Sequence, residues 1–267
     1  MTAASGSPSS GAPRRSVELL RWPPGARCRI EVEAAPLPPI DEAAAAREWD
    51  RQRAHNPRLF DAPILAAVGF GPGVVRARTC TYRRLVVQPA IPTGTEQLSV
   101  TAVVLRRDGD VPRVLLGRRG TQTRIYQSQW ELGPSGGIDP PTGHGPGRAH
   151  ELGWAEVCAQ IRREAAEELG GADWVAPRQA WGVCRDFVAR SADIVVESEW
   201  QGPELDGAHT ADRVRWEYDG LAWVTRGEMA GFVRTNAVIE PSLALLGAMG
   251  WLGEEGGSGK MDTAEGQ

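Results

Sequence analysis

The sequence predicts an α+β sandwich, in which helices pack against strands. Strand-like apolar runs lie both before and after one strongly amphipathic helical segment, and a second apolar helical segment follows near the C-terminus. The amphipathic segment begins near Gly153 and ends at Gly170 with three glutamates in five residues. This acidic helix is the feature that the remaining elements are expected to surround.

Composition and charge narrow the class of protein. The chain has 267 residues and a formal net charge of −4, which argues against a general nucleic-acid binder. Its four cysteines, Cys28, Cys80, Cys158 and Cys184, show neither zinc-ligand nor disulfide-framework spacing, so a reducing cytoplasm is expected. No apolar run approaches the roughly 18 residues that span a bilayer, so no membrane partner is expected.

The chain divides into four predicted parts. Residues 1–15 and 253–267 are small and polar and predict disordered tails, residues 16–97 predict an α/β extension rich in strands, and residues 98–252 predict the main domain. In the extension, capping by Asp41 and the stop at Asn56-Pro57 delimit one helix. The extension's predicted elements are strands at Ser16–Arg21, Arg27–Glu33, Ile64–Phe70, Val74–Thr81 and Arg84–Val87, and a helix at Ile40–Ala54.

The main domain opens with a predicted hairpin whose turn is Asp108-Gly109-Asp110. The polar loop Asp139–His150 precedes the acidic helix and is interpreted either as a substrate-shaping lid or as a disordered insertion. The predicted strands are Ser99–Arg106, Arg113–Arg118, Tyr126–Leu132, Trp181–Val188, Ile194–Trp200 and Leu221–Val224, and the last helix is Pro241–Trp251.

The acidic end of the helix predicts a cation site. Helical periodicity places Glu168 in the apolar stripe and Glu164 at its edge, where two carboxylates at i,i+4 repel each other. Acids near a helix C-terminus also oppose the macrodipole, and hard cations such as Mg²⁺ take carboxylate oxygens. The alternative interpretation is an exposed, acid-rich last turn capped by Gly170.

Gly136-Gly137, placed after a tryptophan-containing strand, and the later run Arg163-Glu164-x-x-Glu167-Glu168-x-Gly170 together resemble the Nudix box. The resemblance covers roughly Leu98 to Trp251. It implies the Nudix α/β/α sandwich and metal-dependent cleavage of a diphosphate linked to a nucleoside. Glu164, Glu167 and Glu168 would then bind Mg²⁺, or Mn²⁺, and Arg163 would orient a glutamate of the box.

The sequence departs from the box in two places. The spacing from the glycine pair to Arg163 is about a dozen residues longer, and Ala155 stands where the box has a glutamate. Glu156 and Glu151 lie near Ala155 and are candidates to replace the missing glutamate. Glu156, however, is about 16 Å from Glu167 along a straight helix, which argues against a role as a direct metal ligand. A capping or solvent role is therefore predicted for Glu156.

A looser resemblance concerns the branch of the family. The insertion in the box, together with Trp49, Asn56–Asp61 and Gly182–Asp186, is similar to Nudix hydrolases of the animal UDP-glucose pyrophosphatase type. The resemblance implies UDP-glucose or UDP-galactose as the substrate and UMP and a sugar 1-phosphate as products. ADP-ribose or a dinucleotide is the alternative substrate, and a nucleotide-sugar sensor without catalysis is the alternative from another class.

Further candidate residues are proposed around this chemistry. Gly136 and Gly137 are expected to let the backbone approach the metal or phosphate through φ values that other residues resist. Arg118, Arg119 and Arg185 are candidate phosphate contacts, and Glu197, on an acidic strand face, is the candidate general base. For each of these, an ordinary turn, surface arginine or solvated strand face is the competing interpretation.

Overall fold

The computed structural model describes residues 15–107, 111–141, 148–205 and 217–253. The two tails apart from Arg15 and Gly253, residues 108–110 of the predicted hairpin turn, residues 142–147 of the predicted loop and residues 206–216 lie outside the described residues. No helix within the described ranges is long and apolar enough to cross a membrane.

Twelve strands among the described residues join into one mixed sheet. They are β1 Val17–Arg21, β2 Arg29–Glu33, β3 Pro63–Gly71, β4 Val74–Thr81, β5 Gln97–Arg106, β6 Arg113–Arg119, β7 Trp130–Leu132, β8 Ser135–Gly137, β9 His150–Leu152, β10 Val175–Asp186, β11 Ser191–Trp200 and β12 Tyr218–Thr225. The main path runs β1-β10-β11-β5-β3-β4-β2-β9. From β5 the sheet branches to β6 and β8, and β6 in turn pairs with β7 and β12.

The helices lie on both faces of this sheet. They are α1 Glu42–His55, α2 Tyr82–Val86, α3 Trp154–Glu164, α4 Arg226–Thr235 and α5 Glu240–Ala248, and a π-helical turn, Ala165–Leu169, continues α3. Alternation along β5 shows the layering: Val100 and Ala102 pack with Ile161 of α3, whereas Val103 packs with Leu246 of α5. The predicted α+β sandwich is therefore confirmed.

The strands of the N-terminal part pair with strands from later in the chain. β1 is antiparallel to β10, β2 is antiparallel to β9, and β3 meets β5 at Ala66 and Gln97. A small separate core of Ala45, Trp49, Val86 and Val87 holds α1 against α2. The predicted helix cap is also present, since Asp41 accepts a hydrogen bond from the backbone N–H of Ala44 at 2.9 Å.

Several predicted elements were wrong in type or length. The predicted strand Arg84–Val87 lies mostly in α2, because its apolar residues are buried against Trp49; a short apolar run does not distinguish a strand from a helix. The strand predicted at Tyr126–Leu132 is confined to Trp130–Leu132, because Tyr126 and Ser128 adopt positive φ angles of 56° and 60°. Helix α4 was not predicted.

Candidate active site

The acidic end of α3 is the starting point of the site. The glutamates differ in exposure: Glu164 and Glu168 are buried, at 8% and 5% exposed, whereas Glu167 is exposed. The π-helical turn follows directly after Glu164 and ends at Gly170, whose φ of 96° suits glycine. The predicted placement of Glu168 in the buried stripe of this helix is confirmed.

Burial and mutual repulsion make these carboxylates hard to ionise. The pKa of Glu164 is raised to about 7, mainly by burial and also by the nearby charge of Glu167, while a hydrogen bond from Gln160 acts in the opposite direction. Burial also raises the pKa of Glu168 well above its usual range, and the charges of Glu217, Glu131 and Glu164 add to this. The backbone N–H of Ser135 donates to Glu168 at 3.0 Å and opposes the shift.

Two further acids complete the cluster, and the sequence analysis missed both. Glu131, in β7, is 4% exposed and accepts a hydrogen bond from Arg119 Nη1 at 2.6 Å. Burial raises the pKa of Glu131 in spite of this arginine, and burial followed by the charge of Glu164 raises the pKa of Glu217 to about 7. A charged residue between Trp130 and Leu132 in an apolar strand was a usable signal for Glu131. We find no comparable signal for Glu217.

The glycine pair contributes to the site by leaving room for a neighbouring side chain, and its backbone angles are ordinary. Gly136 and Gly137 lie in extended strand β8, paired with Val100 and Ser99 of β5, so the prediction of φ values closed to other residues was wrong. A Cβ atom at Gly136 would overlap the carboxylate of Glu164. Glycine at this position therefore leaves room for the acid.

The acidic cluster opens into a cleft of about 750 Å³. Its lining includes acids from the cluster, arginines, and apolar residues from the chain between α1 and β3, from β3 itself and from the start of α2. The acids are Glu131, Glu168 and Glu217, the arginines are Arg58, Arg119 and Arg124, and the apolar residues are Leu59, Phe60, Ile64 and Tyr82. The cleft therefore offers groups for both the anionic and the aromatic parts of one ligand.

Arg119 and Gly137, both predicted to contact substrate, line this cleft, and Gly136 and Gly137 line a connected cavity of about 250 Å³. Arg118 instead pairs with Asp219 at 2.5 Å, and its guanidinium lies 5.8 Å from the centre of the Trp130 ring. The geometry thus engages Arg118 outside the cleft, contrary to its predicted role.

Arg185 and Glu197 are also engaged elsewhere. Arg185 makes salt bridges to Glu18 at 2.5 Å and to Glu96 at 2.8 Å, which tie β10 to β1 and to the chain before β5. Glu197 pairs with Arg107 at 3.4 Å and accepts a hydrogen bond from Gln179 at 3.2 Å. Strand pairing explains both results. It brings each side chain next to an oppositely charged residue on an adjacent strand or on the chain segment beside it.

Two predictions concerned the start and end of α3. Arg163 forms an ion pair with Asp139 and not with a glutamate of the cluster, so its predicted partner was wrong. The predicted capping role of Glu156 is confirmed, because its carboxylate accepts a hydrogen bond from the backbone N–H of Gly153 at 2.7 Å. Trp154, the first residue of α3, packs against the main core.

The cluster suits a hard divalent cation in donor chemistry and in charge. Glu164 and Glu168 are oxygen donors whose burial and repulsion call for a positive counter-charge, and Gly136 leaves space beside Glu164. Within the described part of the chain, no group of three or more His, Cys, Asp or Glu side chains is already arranged around a cation position. The fit between the acidic cluster and a divalent cation therefore rests on the charge and the oxygen donors of the cluster.

Comparison with known proteins gives structural similarities alone. No family model matches the chain, and no curated protein matches it. The NUDIX domain of Shewanella oneidensis NrtR, solved with ADP ribose, is 16% identical over 59% of this chain and 90% of that chain, with a TM-score of 0.39. A Nudix hydrolase from M. smegmatis is 16% identical over 57% and 81%, with a TM-score of 0.38. The protein DR0079 from Deinococcus radiodurans is 14% identical over 70% and 98%, with a TM-score of 0.44.

Proposed function

We propose that the protein is a Nudix-type pyrophosphohydrolase that uses Mg²⁺, or Mn²⁺ in its place. Its substrate would be a nucleoside diphosphate sugar, UDP-glucose or UDP-galactose, and its products UMP and a sugar 1-phosphate. The observation that carries the proposal is the buried acidic cluster, which opens into a cleft that arginines also line. Acids for a cation and arginines for phosphate are the groups that phosphoanhydride hydrolysis needs.

Glu164, Glu167 and Glu168 would hold the cation. A bound divalent cation supplies charge neutralisation on the diphosphate oxygens and lowers the pKa of a bound water. Glu167 belongs to this set because its charge acts on both Glu164 and Glu217, which places it beside the cluster despite its exposure. Glu168 is oriented by the backbone N–H of Ser135.

The arginines would bind the diphosphate in two ways. Arg119 is committed to Glu131, so it holds one acid in place and lines the cleft at the same time. Arg124 is exposed, and its guanidinium donates to the backbone carbonyl of Ala189 at 3.3 Å, an interaction that leaves its charge available to a phosphate. Glu217 lines the cleft beside Glu168 and replaces Glu197 as the candidate for positioning the attacking water.

Two alternatives predict different results. ADP-ribose or a dinucleotide would need the same cluster and differ in the group that fills the rest of the cleft. A sensor that binds without hydrolysis has no use for a buried, mutually repelling set of acids, and the retention of all three glutamates at the end of α3 favours catalysis. The four cysteines in the described chain are free thiols, which agrees with the cytoplasm that we propose as the setting.

A substrate panel separates these possibilities. Purified protein with Mg²⁺ would be incubated with UDP-glucose, UDP-galactose, ADP-ribose and a dinucleoside polyphosphate, and the nucleoside monophosphate released would be measured. We expect the highest kcat/KM on a UDP-sugar. Turnover of ADP-ribose alone would select the second substrate class. Tight binding of one compound with no turnover of any would select the sensor.

A further inference from the structure

Phe60 is an exposed aromatic residue at the edge of the cleft. It lies in the connection between α1 and β3, and 73% of its surface is accessible although it lines the cleft. A single exposed apolar side chain is common on protein surfaces and implies nothing alone. Leu59, Ile64 and Tyr82 line the same cleft, and we refer to these three residues together with Phe60 as the apolar wall.

The apolar wall is held in place by contacts on several sides. The backbone N–H of Tyr82 donates to the carbonyl of Ala62 at 2.8 Å, and the N–H of Arg83 donates to Asp61 Oδ1 at 2.8 Å. Leu59 and Tyr82 also pack on the small core that contains Trp49. The exposed ring of Phe60 is thus carried by an ordered segment, as a binding surface requires.

One hydrogen bond joins two chain segments that line the cleft. Arg58 Nη1 donates to Gln122 Oε1 at 2.5 Å, so the connection that carries Phe60 is tied to the chain between β6 and β7. Arg58 and Gln122 both line the cleft, together with Asn56 and Thr123. The apolar wall is therefore bordered by amide and hydroxyl groups, which hydrogen-bond to the edge of a heterocycle.

We infer that the apolar wall, with Phe60 as its stacking residue, is the site that binds the nucleobase of the ligand. A nucleotide matches the groups that line the cleft, because its phosphates would meet arginines while its base has a flat face and a polar edge. The inference deepens the proposed function and rests on it for the choice of a nucleotide as ligand. Phe60 is a binding residue, since the reacting atoms lie at the acidic cluster.

The test measures binding without turnover. Isothermal titration in EDTA would compare UMP, AMP and ribose 5-phosphate, which lacks a base, on the wild type and on Phe60→Ala. Phe60→Tyr keeps an aromatic face, and Val188→Ala removes an equally exposed apolar side chain, 60% accessible, that is not part of the cleft lining. Because Phe60 is exposed, its truncation leaves the packed core intact.

We expect wild-type protein to bind both nucleotides at least about 10-fold more tightly than ribose 5-phosphate. Phe60→Ala should weaken nucleotide binding roughly 5- to 100-fold, which is the range for stacking of one base, and leave ribose 5-phosphate unchanged. Phe60→Tyr and Val188→Ala should behave as the wild type.

Three results would overturn the inference: no measurable nucleotide binding, equal binding of nucleotides and ribose 5-phosphate by the wild type, or unchanged nucleotide binding by Phe60→Ala. Since these titrations contain no metal and need no hydrolysis, loss of the proposed activity would leave their outcome untouched. Conversely, wild-type hydrolysis with an unchanged KM in Phe60→Ala would contradict the inference and leave the proposed activity standing.

Discussion

At the scale of single residues, the site is defined by acids that are buried together. Glu131, Glu164, Glu168 and Glu217 each have a raised pKa, and for each the first cause is burial. Such an arrangement is unfavourable by itself, because each charge is desolvated and repelled by its neighbours. It becomes favourable once a cation supplies the counter-charge, and this is the physical basis of the proposed metal site.

Gly136→Ala should damage the site with little effect on the fold. The new Cβ would overlap the end of the Glu164 side chain, which would have to move away from the cluster. We expect kcat to fall by about 10-fold or more while the melting temperature changes little. Gly227→Ala is the matched control, because a Cβ there meets nothing within 4 Å. Equal activity in both variants would contradict the role assigned to Gly136.

Asp193→Asn should change how stability depends on pH. Burial raises the pKa of Asp193 to about 7, from about 4 in an unfolded chain, so between these values the unfolded state releases a proton that the folded state keeps. Protonated Asp193 therefore contributes to the free energy of unfolding of the wild type at low pH, and this contribution is lost as pH rises from about 4 to 7. The asparagine variant lacks this loss and should gain roughly 1–3 kcal/mol over the wild type between pH 4 and pH 8.

Urea unfolding at the two pH values measures this difference. Asp173→Asn, which changes an exposed aspartate, serves as the control. A constant difference between Asp193→Asn and wild type across the pH range would show that Asp193 ionises alike in the folded and unfolded chain.

At the scale of elements, α3 and its π-helical turn supply Glu164, Glu167 and Glu168, whereas Glu131 comes from β7 and Glu217 is the residue before β12. Helical periodicity is local, so the sequence predicted the burial of Glu168 correctly. Glu131 and Glu217 reach the cluster from other parts of the chain; the local sequence marks Glu131 as unusual in an apolar strand, but it does not show that either residue meets the helix. Likewise, the sequence predicted a functional role for Gly136. Only the contact between β8 and α3 shows that the space left by its missing side chain is needed for Glu164.

Glu156→Ala distinguishes a helix cap from a metal ligand. Loss of the hydrogen bond to the N–H of Gly153 should lower the free energy of unfolding by about 0.5–1 kcal/mol, because a donor at the helix start loses its partner. The value of kcat/KM with Mg²⁺ should stay within about 2-fold of the wild type. A drop of 10-fold or more in kcat/KM would return Glu156 to the list of metal ligands.

At the scale of the whole molecule, the predicted N-terminal extension shares its sheet with the rest of the chain. Its strands β1, β2 and β3 pair with β10, β9 and β5. Such pairings are non-local, so strands could be predicted from the sequence but their partners could not. The same pairings bring the apolar wall to the acidic cluster, which explains how residues near position 60 line the cleft beside Glu168.

Because of this shared sheet, a core mutation in the N-terminal part should weaken the entire molecule. Trp49 is 7% exposed, and Trp49→Ala should lower the free energy of unfolding by about 3–5 kcal/mol. Hydrogen exchange in urea should show that peptides from β11 lose protection at the same lowered urea concentration as peptides from β3. Unchanged protection of β11 would instead indicate two independently folding units.

The central claim is that the acidic cluster binds a divalent cation and cleaves a phosphoanhydride. The most direct measurement is UMP release from UDP-glucose as Mg²⁺ is varied, with wild type, Glu168→Gln and Glu156→Ala as a control from the same helix. We predict that release needs Mg²⁺, stops in EDTA, falls about 100-fold or more in Glu168→Gln and persists in Glu156→Ala. Undiminished release in EDTA, or wild-type release by Glu168→Gln, would contradict the claim.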